Sequence, residues 1–279
     1  MNEQLTISVL GCGWLGLPLA EALILSGCKV KGTTTTAEKL RTLRDKGIDP
    51  YLVHFSGDSS PELAALLNCD VLIIAVPPAS RTPLGAGNYR QLAGYLSDKI
   101  PGTRIKKMIF ISSTSVYPEN NCVITETETA QPDTSGGRLL KEVEDQLLSI
   151  SVKSVIVLRL AGLVGPQRHP GRFFKGRKGI SGGLAPVNLI HRDDVIGIIE
   201  RIINDDSTAG IYNACSPSHP PKNDFYRLAA ETSGEPIPEF IPEKGNWKII
   251  SGQRVNDELN YQFIYPDLEN WLKETAGTL

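Results

Sequence analysis

The sequence has no apolar run long enough to span a membrane. Its longest runs, such as Val71 to Pro78, fall far short of the ~20 residues a bilayer requires. It has little cysteine. Cys12, Cys28, Cys69, Cys122 and Cys215 are odd in number, widely spaced, and form no C-x-x-C pair. That argues against a disulfide framework and a zinc site, so no metal is expected, and five reduced thiols in a cytosolic protein are. It has no excess of either charge: 29 Lys+Arg face 31 Asp+Glu, a net −2, which argues against bulk nucleic-acid binding. The N-terminus lacks the basic and apolar stretches of a signal peptide, and Gly11 and Gly13 interrupt its apolar run. The expected location is cytoplasmic, with neither membrane nor nucleic acid among the partners. The composition that remains, 41% hydrophobic and 22% charged over 279 residues, suits one large domain or a domain with a smaller companion.

Along the chain, strands alternate with helices. Thr6 to Leu10 reads as a buried strand and Trp14 to Leu25 as a helix. Lys29–Thr34, Tyr51–Phe55, Val71–Val76, Lys107–Ser112 and Ser154–Leu160 read as further strands. Ala37–Lys46, Tyr89–Ile100 and Arg138–Leu148 read as the helices between them. This order predicts an α/β fold with a doubly wound parallel sheet of Rossmann type. Gly162 to Gly183 is glycine-rich and reads as a long loop. Asp193–Ile203 returns to helix and Gly210–Ala214 to strand. Residues 1–165, completed by about 187–215, are expected to form the dinucleotide-binding domain. Residues 166–186 and 216–279 are expected to form a smaller substrate or lid lobe.

Gly11-Cys12-Gly13-Trp14-Leu15-Gly16 is a G-x-G-x-x-G motif between the first strand and the first helix. The first glycine allows a tight turn, the second lets a pyrophosphate approach the backbone, and the third lets helix and strand pack closely. The helix N-terminus would favour the phosphates. The alternatives are a tight turn without ligand and the glycine loop of a methyltransferase. The second strand ends in Thr33, Thr34 and Thr35, with no carboxylate before Glu38. Hydroxyls with Lys39 and Arg41 nearby lean toward NADP over NAD, unless these threonines only cap the next helix. The apolar strand ending in Val76, Pro77 and Pro78 would border the same cofactor.

At the end of a later strand stands Ser112-Ser113-Thr114-Ser115-Val116-Tyr117. Farther on come Leu158-Arg159-Leu160-Ala161-Gly162-Leu163-Val164-Gly165-Pro166, then His191-Arg192-Asp193-Asp194-Val195, then Ile211-Tyr212-Asn213. These segments resemble the extended short-chain dehydrogenase/reductases, which include NAD-dependent epimerases and dehydratases. The resemblance covers nearly the whole chain. It is closer to an atypical, YeeZ-like branch, through Gly-Cys-Gly-Trp-Leu-Gly, Ser-Thr-Ser-Val-Tyr, Arg168-His169-Pro170-Gly171-Arg172-Phe173-Phe174 and Cys215-x-Pro-x-His219-Pro220. It implies an NAD(P) cofactor, with Ser112 beside it and Ser113 at the catalytic serine position. It also allows a homodimer through a helix pair.

The usual Tyr-x-x-x-Lys pair is absent. Aligned on Glu144, its positions hold Gly136 and Leu140, and a shift of one residue gives Gly137 and Lys141. The remaining catalytic candidates are Tyr117, whose usual family role is structural, and Arg138, which is equally at home on a helix surface. His191 could titrate near neutral pH or simply anchor the loop before its helix. From Gln146 to Arg192 there are eight bases and no acid. Such a window, with Arg168 and Arg172 foremost, reads as a basic lid over a small anionic substrate, sugar- or nucleotide-like, or as a solvated loop. Two functions follow. One is an oxidoreductase, epimerase or dehydratase with an unusual acid/base set. The other is a non-catalytic NAD(P)-binding sensor or interaction protein.

Overall fold

The computed structural model describes residues 4–54, 61–78 and 82–276. Strand β1 (Thr6–Leu10) leads through the glycine loop into α1 (Gly16–Leu25). Then come β2 (Lys29–Thr34), α2 (Lys39–Asp45), β3 (Asp49–Leu52), α3 (Pro61–Leu66), β4 (Val71–Ile74), α4 (Pro83–Lys99) and β5 (Lys107–Ser113). A 3-10 turn at Thr114–Val116 precedes β6 (Cys122–Ile124), α5 (Ser135–Leu148), β7 (Ser154–Leu160), β8 (Gly162–Val164), β9 (Leu189–His191), α6 (Arg192–Asn204) and β10 (Gly210–Ala214). The remaining elements are α7 (Lys222–Ser233), β11 (Lys248–Ile250), α8 (Gln253–Leu259) and α9 (Leu268–Glu274). The third strand begins two residues earlier than the sequence suggests, at Asp49, and Phe55 lies outside the described residues. Among the described residues no helix is long and apolar enough to cross a membrane.

Seven strands form the central sheet in the order β10-β7-β5-β4-β1-β2-β3. From β5 to β3 the pairs are parallel, in registers such as Val9 with Gly32 and Val9 with Ile73. The predicted parallel sheet is therefore present. Its strands are continuously apolar because helices flank it: Ile7, Val9, Leu10, Leu72, Ile73, Met108, Ile109 and Phe110 are all fully buried. The chain turns to opposite sides after β1 (β2 on one side, β4 on the other), so the crevice at a topological switch lies at the end of β1. The glycine loop occupies that end.

The chain forms two compact units. One is Met1–Val116, Pro132–Leu158 and Ile199–Ile211, and the other is Tyr117–Gln131, Arg159–Ile198 and Tyr212–Leu279. The second unit has its own core of Val164, Val187, Leu189, Phe225, Ala229, Leu268, Trp271 and Leu272. It also holds two small parallel pairs, β6 with β11 and β8 with β9. The glycine-rich stretch after β7 is thus not all loop. β8 pairs within it, and a 3-10 turn at Pro170–Arg172 packs on α7 through Gly171, where any side chain would collide with the Ala229 carbonyl.

Candidate functional site

The three glycines of the loop meet three different constraints. Gly11 has φ +99°, and a Cβ there would stand 3.0 Å from the Ala75 carbonyl and 3.2 Å from the Val76 nitrogen. A Cβ on Gly16 would strike the Gly11 carbonyl and stand 3.4 Å from the Val9 side chain, so this glycine lets α1 close onto the loop after β1. Gly13 differs. It is exposed, and a Cβ there would meet nothing within 4 Å. The loop is tied to β2: Gly11 N–H donates to Thr33 Oγ1 at 2.7 Å, and Cys12 N–H donates to the Thr33 carbonyl at 2.8 Å. The N-cap residue of α1, Leu15, offers no side-chain cap to its amides.

The candidate cofactor residues divide by orientation. Cys12 is buried against Gly32, and burial pushes its thiol up to about 12, so only its backbone belongs to the loop's surface. Leu15 is buried as well, while Trp14 is half-buried. Thr33 spends its hydroxyl on Gly11, and Thr34 Oγ1 accepts from the Thr36 N–H at 3.1 Å. Thr35 is exposed, as is Lys39, while Arg41 forms a 3.8 Å ion pair with Asp45. Val76 adjoins Gly11, followed by exposed Pro77 and half-buried Pro78.

At the end of β5, Ser112 is buried and its hydroxyl donates to Glu144 Oε1 at 2.5 Å. Ser113 is half-buried and its Oγ accepts from the Ser115 N–H at 3.1 Å. Helix α5 starts at N-cap Thr134, whose Oγ1 accepts from the Gly137 N–H. Gly137 lies so close to the preceding turn that a Cβ would stand 2.5 Å from the Ser115 carbonyl and 2.8 Å from Pro132. Gly137→Ala is expected to cost about 1–3 kcal/mol by overpacking, readable as a lowered thermal midpoint, and an unchanged midpoint would refute the tight contact. Arg138 is exposed and donates back to the Asp133 carbonyl at 3.0 Å. Lys141 donates to both oxygens of Asp145 at 2.5 Å. Sequence reasoning gave Glu144 no role. The available signal was its place in the apolar stripe of α5, with Leu140, Val143 and Leu147 at helical spacing.

In the second unit Tyr117 is 2% exposed. Its hydroxyl accepts from Arg159 Nη1 at 2.6 Å and donates to Asn213 Oδ1 at 3.0 Å, and the guanidinium also sits 4.7 Å from the ring centroid. Burial pushes the phenol's pKa up, against the pull of Arg159. His191 is 1% exposed, its Nδ1 accepts from the Asp193 N–H at 3.2 Å, and its ring rests on Tyr265 and Trp271. Burial drives its pKa from 6.5 down to about 4, opposed by Asp193. The unfolded chain therefore takes up a proton near 6.5, whereas the folded chain does so only near 4. This group leaves stability unchanged above pH 6.5 and lowers it as pH falls toward 4, by roughly 2–3 kcal/mol. Urea midpoints at about pH 7.5 and about pH 4.5 should separate less in His191→Asn, which keeps an acceptor for Asp193 but does not titrate. Equal separation would assign the acid sensitivity to other groups.

The acid-free window does not stand alone in space. Arg172 and Lys175 reach Glu235 at 3.5 and 2.8 Å, and Lys178 reaches Glu239 at 2.7 Å. Arg177 lies over the Phe174 ring, Arg192 pairs with Asp193 and Lys153 with Asp206. Arg172, Lys175 and Lys178 thus meet carboxylates that stand about sixty residues farther along the chain. Arg168 is exposed in the turn where its N–H bonds the Gly165 carbonyl at 3.0 Å. Among the described residues no group of His, Cys, Asp and Glu is placed to hold a metal ion.

Protein YeeZ of Escherichia coli strain K12 is 41% identical to this chain over 266 residues, covering 94% of the chain and 96% of that protein. No protein-family model matches the chain. A short-chain dehydrogenase/reductase superfamily protein from Agrobacterium tumefaciens, solved with bound NAD, gives a TM-score of 0.79 at 16% identity, covering 97% of this chain and 96% of that one. UDP-glucuronic acid 4-epimerase from Bacillus cereus, solved with UDP-glucuronic acid and NAD, gives 0.76 at 16% identity over 96% of each chain. The human epimerase family protein SDR39U1, solved with NADPH, gives 0.75 at 17% identity over 98% of this chain and 100% of that one. At such identities the solved structures speak for the fold alone. The chain belongs to the YeeZ family, an atypical branch carried on the extended short-chain dehydrogenase/reductase fold.

Proposed function

We propose that this protein binds NAD(P) at the glycine loop and acts as an oxidoreductase, epimerase or dehydratase on a small anionic substrate, sugar- or nucleotide-like. The observation that carries the reading is Gly13: the one glycine of the motif with open space where a Cβ would be, flanked by two that are sterically required. The Gly11–Gly16 backbone and the uncapped start of α1 would hold the pyrophosphate. With no carboxylate at the end of β2, exposed Thr35 and Lys39 suit a 2′-phosphate, which keeps the lean toward NADP. The bound dinucleotide supplies hydride chemistry, so the protein must chiefly orient the reactants and set their electrostatics. The solved structures with NAD, NADPH and UDP-glucuronic acid support this class of cofactor and substrate. The five free thiols fit a cytoplasmic protein.

The usual Tyr and Lys have no replacement on α5. Gly137 has no room for a side chain, and Lys141 is committed to Asp145. That leaves Ser113 as the polar group of β5 facing a reactant, while Tyr117 and Arg159 bond to one another inside the second unit. The commitment of the Tyr117 hydroxyl and of Arg138 to protein partners favours a second reading, a non-catalytic NAD(P) sensor. Titration with NADPH and NADH tests the shared part of both readings. A screen of anionic sugars and nucleotide sugars, followed at the nicotinamide absorbance, then separates them. Turnover of any substrate refutes the sensor, and binding without turnover across the screen favours it.

A further inference from the structure

The end of β5 rests on a polar cluster that the glycine loop does not use. Glu144 is fully buried, in a helix face where Leu140, Val143 and Leu147 are at most 4% exposed. A carboxyl in such surroundings is costly, and an apolar side chain of similar size would commonly pack as well or better. Ser112 of β5 donates its hydroxyl to this carboxyl at 2.5 Å. Tyr89 of α4 adds a second hydroxyl, 4% exposed and without a hydrogen-bond partner among the described residues. Burial raises the pKa of this hydroxyl, and its neighbour Glu144 adds to the rise. Polar side chains from α4, α5 and β5 are thus gathered where folding alone favours packing.

The sheet order says which part of a ligand lies above. The glycine loop at β1 takes the pyrophosphate, and the end of β2 takes the adenosine ribose. The sheet continues from β1 to β4 and β5 on the opposite side, so the nicotinamide half must extend over the ends of those strands. Ser113, next to Ser112, points to the other face of β5 by strand alternation. Fixing Ser112 therefore fixes the backbone that presents Ser113.

We propose that Glu144 is a positioning residue for the nicotinamide half of the bound dinucleotide: it grips Ser112 from within the core and so sets the end of β5 that carries Ser113. The proposal rests on the dinucleotide reading above. It is tested by comparing NADPH and NADH with 2′-phospho-ADP-ribose and ADP-ribose, which lack nicotinamide. Glu144→Met, which removes the acceptor but keeps the volume, should weaken NADPH and NADH about tenfold and leave the ribose diphosphates within about twofold. Ser112→Ala should do the same, and it carries the test if Glu144→Met fails to fold. Glu144→Gln, which can still accept from Ser112, should recover most of the loss. Equal weakening of both ligand kinds would show a merely structural role and overturn the proposal, as would unchanged NADPH affinity in Glu144→Met and Ser112→Ala. A wild-type protein that binds neither kind of ligand refutes the dinucleotide reading itself, and this proposal with it. Wild-type binding with unselective variants refutes only this one.

Discussion

Gly13→Val is expected to abolish dinucleotide binding while leaving the fold intact. The backbone at Gly13 is not in the left-handed region, and a Cβ there meets no protein atom within 4 Å, so the branched side chain costs the folded state little. It would, however, fill the space through which a pyrophosphate must approach the loop amides. A loss of roughly 100-fold or more in NADPH affinity corresponds to about 3 kcal/mol, while the thermal midpoint should move by only a few degrees. Gly16→Val is the contrast. Its Cβ has no place against the Gly11 carbonyl, so it should lose stability first. The pair separates a binding glycine from a packing glycine within one motif. Unchanged affinity in a folded Gly13→Val protein would sink the cofactor assignment.

The second large effect concerns Asp194. The sequence reads it as the start of a helix, and α6 does begin at Arg192 with Asp193 and Asp194 in its first turn. Yet Asp194 is fully buried. It accepts from the Tyr261 hydroxyl at 3.0 Å, the Ile264 N–H at 2.6 Å and the Tyr265 N–H at 3.1 Å. Tyr261 lies in a groove of α6 made by Gly197, where a Cβ would stand 2.6 Å from the phenol oxygen. Burial raises the carboxyl's pKa and the three donors oppose that rise. Asp194→Ala removes the acceptor of one buried and two part-buried hydrogen bonds. The expected cost is about 3–5 kcal/mol, a large share of a typical domain's stability. Limited proteolysis should then cut first near 253–276, with Asp194→Asn intermediate. A variant as resistant as wild type would refute the anchoring role.

Where the sequence carried a strong local pattern, the structure follows it. The continuous apolar run at Val71 fits a strand covered on both faces, and β4 is buried along its length. The glycine motif carried its own geometry, because Gly11 and Gly16 answer steric constraints of the turn that no other residue meets as well. The alternation of strands and helices down to Ser154–Leu160 predicted the parallel sheet. The weak places were those where periodicity is short. α3 in the first unit, and β6, β8, β11, α8 and α9 in the second, are three to seven residues long, so little in their local spacing announces them.

Side-chain partners over long separations were not legible. The acid-free window gave no sign of its partners because charge was counted along the chain, while Glu235 and Glu239 meet Lys175 and Lys178 in space. Ser112 looked like a ligand-facing hydroxyl until its direction, set by strand alternation, placed it against Glu144. The amino-acid order by itself determined the parallel sheet and the place of the glycine loop at its switch point. Only the tertiary structure decided which polar side chains are held in the core, as Ser112 is against Glu144, and which are left exposed. The physical reason is that backbone patterns are local, whereas hydrogen bonds and ion pairs depend on which distant segments the packing brings together.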